Sequence, residues 1–208
     1  MNGPELIETL RQDILLDIAK PYLWRDEALY RMLSLGQRTF SEDTHCLEDV
    51  VEIVTEPDVS TYKLEGTTLR VRAVGLSEQG PWLSPAVHRG HLGAKGSPIY
   101  YVTNNTKGEI TFLPTPDKEA TLFVYRSRLP YCDISDTKKP EIPERHHEAL
   151  LHFTAWRALL TNDPDGNHSA SAANHEKLYL QAVRDAKRRY YHFRMNNDPR
   201  ISNPAVRR

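Results

Sequence analysis

Cysteine is nearly absent from this chain. Cys46 and Cys132 are the only two, far apart, with no CxxC pair and none of the Cys/His spacings of a structural zinc module. Disulfide-stapled and zinc-finger classes are thereby excluded, and both thiols read as reduced packing residues. Long apolar runs are also missing. The opening MNGPELIETLRQDILLDIAK is charged throughout, so it supplies no apolar core for a signal peptide, and no stretch reaches the ~18 apolar residues of a membrane span. A soluble protein, made in a cytoplasm and with no membrane contact, is expected. An excess of one charge is lacking as well: 27 basic and 28 acidic side chains leave −1, unlike a general nucleic-acid binder. There is no GxxxxGK[ST] loop, no GxGxxG after a strand and no GxSxG elbow. The expectation is a protein that is not an enzyme, with no catalytic residue, no metal ligand and no cofactor.

What is present is polarity along the chain. From residue 181 to 208 there are eight Arg or Lys against two Asp, whereas residues 41–58, SEDTHCLEDVVEIVTEPD, hold seven carboxylates and no Lys or Arg. One chain with an acidic and a basic surface suits contact with copies of itself or with a charged partner. The acidic face is assigned to Glu42, Asp43, Glu48, Asp49 and Glu52, and the basic face to Arg184, Lys187, Arg188 and Arg189. At 208 residues the chain can bury one sizeable core, or a helical core with a smaller β module.

The periodicity changes twice. Leu6, Ile7, Leu10, Ile14 and Ile18 recur at helical spacing, with Pro21 forcing a stop after Lys20. A second helix follows over 24–45, with Asp26 and Glu27 in its first turn and an apolar face through Leu29, Met32 or Leu33, Gly36 and Phe40. Then come VVEIVTE, TYKLEG, TTLRVRAVG, IYYVTN, GEITFLP and ATLFVYRS, six short β-branched or aromatic runs that predict an antiparallel sheet or small sandwich. TNNTKGE and PTPDKEA read as hairpin turns. The Gly/Pro-rich loop over 75–98 is too long for a tight turn and reads as an interface or mobile segment. Helical period returns after Pro143, through Leu150, Phe153, Trp156 or Arg157, and Leu160, and again from about Ser169 through Tyr179, Leu180, Val183, Ala186 and Tyr190. Beyond Phe193, RMNNDPRISNPAVRR has little to bury and predicts an extended tail.

PERHHEALLH, residues 143–152, tempts a metal assignment. In H-E-x-x-H the imidazoles stand at i and i+4 on one helix face. Here His147 and His152 are five apart, a rotation of about 140° at ~100° per residue, so one metal does not reach both. His146 is further still from a common face. The three histidines are expected on the solvent or interface side of a packed helix. Asp163, Asp165 and Asn167 alternate like calcium ligands, but Gly166 and Asn174 fall where an EF-hand loop does not allow them, and a helix-to-helix turn is the reading. The C-terminal stretch interleaves Arg and Lys with Tyr190, Tyr191, His192 and Phe193, a mixture able to grip phosphates and stack on bases. A DNA-binding accessory role is the alternative to protein docking through that tail.

Three phrases in order, PYLWRDEALYRMLSLGQRTFSEDTHCLEDV, GEITFLPTPDKEATLFVYRSRLP and PEIPERHHEALLHFTAWRALLTNDPD, resemble the head-to-tail adaptor (connector) proteins of tailed bacteriophages. The likeness spans residues 6–190. It implies an α+β fold: a helical bundle of N- and C-terminal helices (1–46 and 131–192), an inserted small antiparallel β module (47–130) and an extended tail (193–208). It further implies a homo-oligomeric ring, commonly of twelve copies, beneath the portal protein at the capsid vertex of the virion. A downstream tail or head-completion protein lies below, and double-stranded DNA passes through the lumen without sequence-specific binding. The segment expected on the portal comprises His192, Phe193, Arg194, Arg200, Ile201, Pro204, Val206, Arg207 and Arg208.

Overall fold

The computed structural model describes residues 1–86, 93–161 and 168–197, with side chains through residue 190. The fold is α+β, with four α-helices and two sheets among the described residues, and the chain divides into two compact units. The first joins Met1–Leu47 to Pro130–Tyr191, so segments before and after the strands build one helical core; the second is built on Glu48–Leu129.

In the helical unit, α1 (Gly3–Thr9) starts at Asn2, whose side chain accepts the Glu5 amide while Glu5 accepts the Asn2 amide, a reciprocal cap. The helix widens into a π-helical turn over Leu10–Ile14 and stops, because Leu16 adopts a left-handed conformation (φ 51°). This is earlier than the stop at Lys20 that Pro21 suggests, and Ile18, expected on the apolar face, is 66% exposed. The reason is electrostatic. Buried Arg11 donates to Asp17, to the Trp24 carbonyl (2.5 Å) and to Asp26 (2.6 Å), while Asp17 accepts the Leu23 amide (2.9 Å). A continued helix would carry Asp17 away from these donors.

Helix α2 (Asp26–Thr44) buries Leu29, Leu33, Gly36 and Phe40 at the predicted spacing, with Leu33 rather than Met32 on the seam. Its left-handed C-cap, His45, donates its amide to Ser41 (2.8 Å). Gly36 marks the closest approach of α3 (His147–Thr161): a Cβ there would meet Phe153 Cδ1 at 2.8 Å. Buried Gln37 pins the connector between the units' strands and α3, accepting the Glu141 amide (2.6 Å) and donating to the Cys132 carbonyl (3.2 Å). Helix α3 is buried around most of its circumference, as in a central helix. Leu160, predicted on its apolar side, is instead 52% exposed, and Leu159 is buried. Helix α4 (Ser169–Asn197) turns Tyr179, Val183 and Ala186 into the core and continues past the expected tail boundary at Phe193. Cys46 is buried, but Cys132, expected to pack, is exposed, with its Sγ 3.6 Å from Lys138 Nζ.

In the β unit, β1 (Glu48–Thr55), β7 (Ala120–Arg128) and β3 (Thr68–Gly75) form a three-stranded antiparallel sheet in the order β1-β7-β3. The other sheet runs β2 (Thr61–Lys63), β6 (Glu109–Leu113), β5 (Tyr100–Asn104), β4 (Ser84–Pro85). All six predicted strands exist. The seventh, β4, lies inside the long Gly/Pro-rich loop and pairs parallel with β5, which a two-residue strand with no period does not announce. Ile53, Val71, Val74, Ile110, Phe112, Leu122 and Val124, from both sheets, share one core, the sandwich alternative. The turn over 104–109 is a hairpin as predicted. The segment 114–119 is not: β6 and β7 pair in different sheets, so PTPDKEA crosses between layers. Thr55 Oγ1, accepting the Ala120 amide (2.9 Å), fixes where the crossing ends.

Candidate interaction surfaces

The histidine segment lies inward, not on an outer face. A short 3-10 turn, Glu144–His146, leads into α3 and rotates His146 and His147 toward the core, where they are 8% and 2% exposed. His146 packs on Phe40 (ring centroids 5.0 Å) and its Nε2 pairs with the Tyr190 hydroxyl (3.0 Å). Burial, reinforced by Arg145 and Arg189, pushes its pKa down to about 4. His147 Nε2 donates to the Ile142 carbonyl (3.1 Å), and burial lowers its pKa too. Both rings are neutral packing elements that tie α4 and the connector to α3. The expectation of a solvent or interface face fails for them because the 3-10 turn changes the angular phase ahead of α3. His152 is half-buried, and its Nδ1 lies 3.1 Å from Nδ1 of His175 on α4.

The charged residues assigned to complementary faces are distributed between the two units. On α2, Glu42 and Asp43 are exposed; on α4, Arg184, Lys187, Arg188 and Arg189 are exposed around the helix whose inner side carries Val183 and Ala186. Asp43 and Lys187 meet each other in an ion pair (3.2 Å), and Arg188 pairs with Asp185 one turn away (2.5 Å). Glu48, Asp49 and Glu52 belong to β1 in the other unit. Glu48 pairs with Arg72 (2.5 Å). Asp49 accepts from Arg126 (2.8 Å) and lies 3.1 Å from Arg128 Nε. Glu52 is exposed on the outward side of β1 with Val50 and Val54, which are 45% and 50% exposed. Glu42, Glu52, Arg184 and Arg189 stand outside these pairs.

Arg126 was not singled out from the sequence, although a signal was there. Along β7, Leu122, Val124 and Arg126 alternate onto the inward side, so period two places a guanidinium in line with the core. Its side chain is wholly buried and donates to Asp49, to Glu65 (2.6 Å) and to Thr68 (2.7 Å). Burial works against the cation, but the bonds it donates to Asp49 and Glu65 prevail and raise its pKa. The portal-directed residues divide by position. His192, Phe193 and Arg194 lie on the last turns of α4, their side chains outside the description, and Arg200, Ile201, Pro204, Val206, Arg207 and Arg208 lie outside the described residues, as do Asp163, Asp165 and Asn167. Among the described residues no three His, Cys, Asp or Glu gather as metal ligands, and no helix is long and apolar enough to cross a membrane.

These residues sit on a two-unit α+β scaffold, and in class the protein is a structural adaptor, since the model of one adaptor family matches the chain from residue 1 to residue 208. That family is the SU10 adaptor protein family, and the chain belongs to it. The membership agrees with the resemblance to phage adaptors and supports a structural rather than catalytic role in a virion. No curated protein matches the chain.

Proposed function

We propose that the chain is the head-to-tail adaptor of a tailed bacteriophage. It forms a homo-oligomeric ring, of twelve copies as in the adaptors it resembles, beneath the portal protein. The ring joins the capsid to a downstream tail or head-completion protein and lets double-stranded DNA pass without sequence-specific binding. The observation that carries this reading is the whole-chain match to an adaptor family.

A ring of identical copies needs two different, complementary faces on each subunit. Among the described residues, Arg184 and Arg189 on α4, with Glu42 on α2 and Glu52 on β1, are exposed and outside the ion pairs described above, so their charges are available to a neighbour. Asp43 and Lys187 on the helical unit, and Glu48 and Asp49 on the β unit, add to these contact charges although each is partly neutralised by an intramolecular pair. The tail, with Ile201, Pro204 and Val206 as small anchors among arginines, docks on the portal. Near-neutral overall charge suits a lumen along which phosphates slide without being held.

Electron microscopy of the purified chain mixed with its portal tests the assembly: a closed ring on the portal is expected, and failure to form one overturns the reading. Deleting residues 198–208 spares α4 and is expected to abolish portal binding; undiminished binding removes the tail's role. The DNA-binding alternative rests on the exposed cations of α4. It requires DNA affinity that falls steeply with salt, and no binding at low salt ends it.

A further inference from the structure

Spacing along α3 excludes a metal shared by His147 and His152, but it says nothing about a ligand from another helix. His175, 23 residues beyond His152, comes from α4 and sets its Nδ1 3.1 Å from Nδ1 of His152, with the rings tilted by 40°. Two nitrogens bound to one metal at about 2.0–2.1 Å stand about 2.9 Å apart at a right angle and about 3.3 Å apart at the tetrahedral angle. The observed separation falls between these values. We propose that His152 and His175 form a two-imidazole chelate for a late divalent transition ion, Zn²⁺, Ni²⁺ or Cu²⁺, bridging α3 and α4.

Three features support the assignment. Glu148, one turn before His152, holds a carboxylate oxygen 3.8 Å from Nε2 of that ring. At that distance it accepts no hydrogen bond from the ring, but it places a negative charge beside the pair that favours a bound cation. Burial lowers the pKa of both rings, so both are neutral and able to ligate at neutral pH. His152 borders a cleft of about 200 Å³, lined also by His146, Glu148 and Gln181, which gives solvent access to that ring. One Nδ1 carries the proton of the contact between the rings; on binding, that ring passes to its Nε2–H tautomer, so two neutral imidazoles become ligands without net proton release.

No third His, Cys, Asp or Glu completes the set among the described residues, so water fills the other positions and the ion exchanges readily. Imidazole suits these ions, and the stability order places Cu²⁺ tightest. Metal and α-helical contact then act on the same pair of helices, independently of whether the chain assembles beneath a portal.

The test is calorimetric titration of the full chain, stripped with chelator, with Ni²⁺, Zn²⁺ and Cu²⁺ at neutral pH. One ion per chain is expected, with His152→Gln and His175→Gln each weakening binding at least tenfold and His45→Gln leaving it unchanged. Affinity untouched by both substitutions, or no binding by the wild type, overturns the site and leaves the pair as a hydrogen bond only. A readout that needs no variant is NMR of the histidine rings with substoichiometric Ni²⁺. Broadening of His152 and His175 before the other histidines supports the chelate, and broadening elsewhere first overturns it.

Discussion

Acid should loosen the helical unit through His146, and the size of the effect follows from where that ring sits. It is 8% exposed, packed on Phe40, hydrogen-bonded to Tyr190 and close to Arg145 and Arg189, surroundings that oppose its charged form and bring the pKa from 6.5 to about 4. The unfolded chain therefore binds this proton at pH 6.5 while the folded chain refuses it until about pH 4, and between those values the unfolded state holds more protons. Stability is full above pH 6.5, falls as pH drops through the window, and loses nothing further from this group below pH 4. A depression of this size corresponds to roughly 3 kcal/mol at 1.36 kcal/mol per pH unit. His147, His152 and His175 shift in the same direction and add to the wild-type loss, so a difference measurement is required. Urea unfolding of wild type and His146→Phe at pH 7 and pH 4 supplies it: the variant keeps the aromatic contact with Phe40 but has no proton to bind. The variant should lose roughly 3 kcal/mol less than wild type on acidification. Equal losses, or a His146 ring resonance titrating near pH 6.5, would refute the reasoning.

Other expectations follow from single contacts. Asp49→Ala removes one carboxylate from the wholly buried Arg126, which also donates to Glu65, and should cost about 3–5 kcal/mol in denaturant unfolding, whereas exposed Glu52→Gln should stay within about 0.5 kcal/mol. Gly36→Ala gains about 1 kcal/mol of helix propensity but forces a methyl against Phe153, an overpacking worth about 1–3 kcal/mol, so the net change should be destabilising and read as a lower melting temperature. Lys187→Ala should change monomer stability by less than about 1 kcal/mol, because its pair with Asp43 is exposed. Arg184→Glu should leave the monomer equally stable yet block ring closure on the portal, observed by electron microscopy, and a ring of normal yield would remove Arg184 from the contact.

The sequence pattern was most legible where one stretch of chain meets one environment. Leu29, Leu33 and Phe40 on α2, and Tyr179, Val183 and Ala186 on α4, lie on the buried side because a 3.6-residue period against a single core leaves little choice. Pro21 pointed to a helix end but not to the right residue, since Arg11 and Asp17 close the turn earlier through bonds to residues of the following loop. The candidate interaction residues were legible as charges and not as partners. Counting carboxylates in residues 41–58 gives no hint that Asp43 meets Lys187, 144 residues away, or that Asp49 serves a buried arginine of its own sheet.

Composition and period alone determined an α+β chain with helical ends, six of its strands in the middle and an acidic and a basic segment, because each of these is a local property of the side-chain order. Tertiary structure decided which sheet each strand joined, sent residues 114–119 across layers, turned His146 and His147 inward and brought His152 to His175. These outcomes depend on contacts between residues far apart in the chain, where the energy of closing a core and pairing buried polar groups outweighs the preference of any short segment.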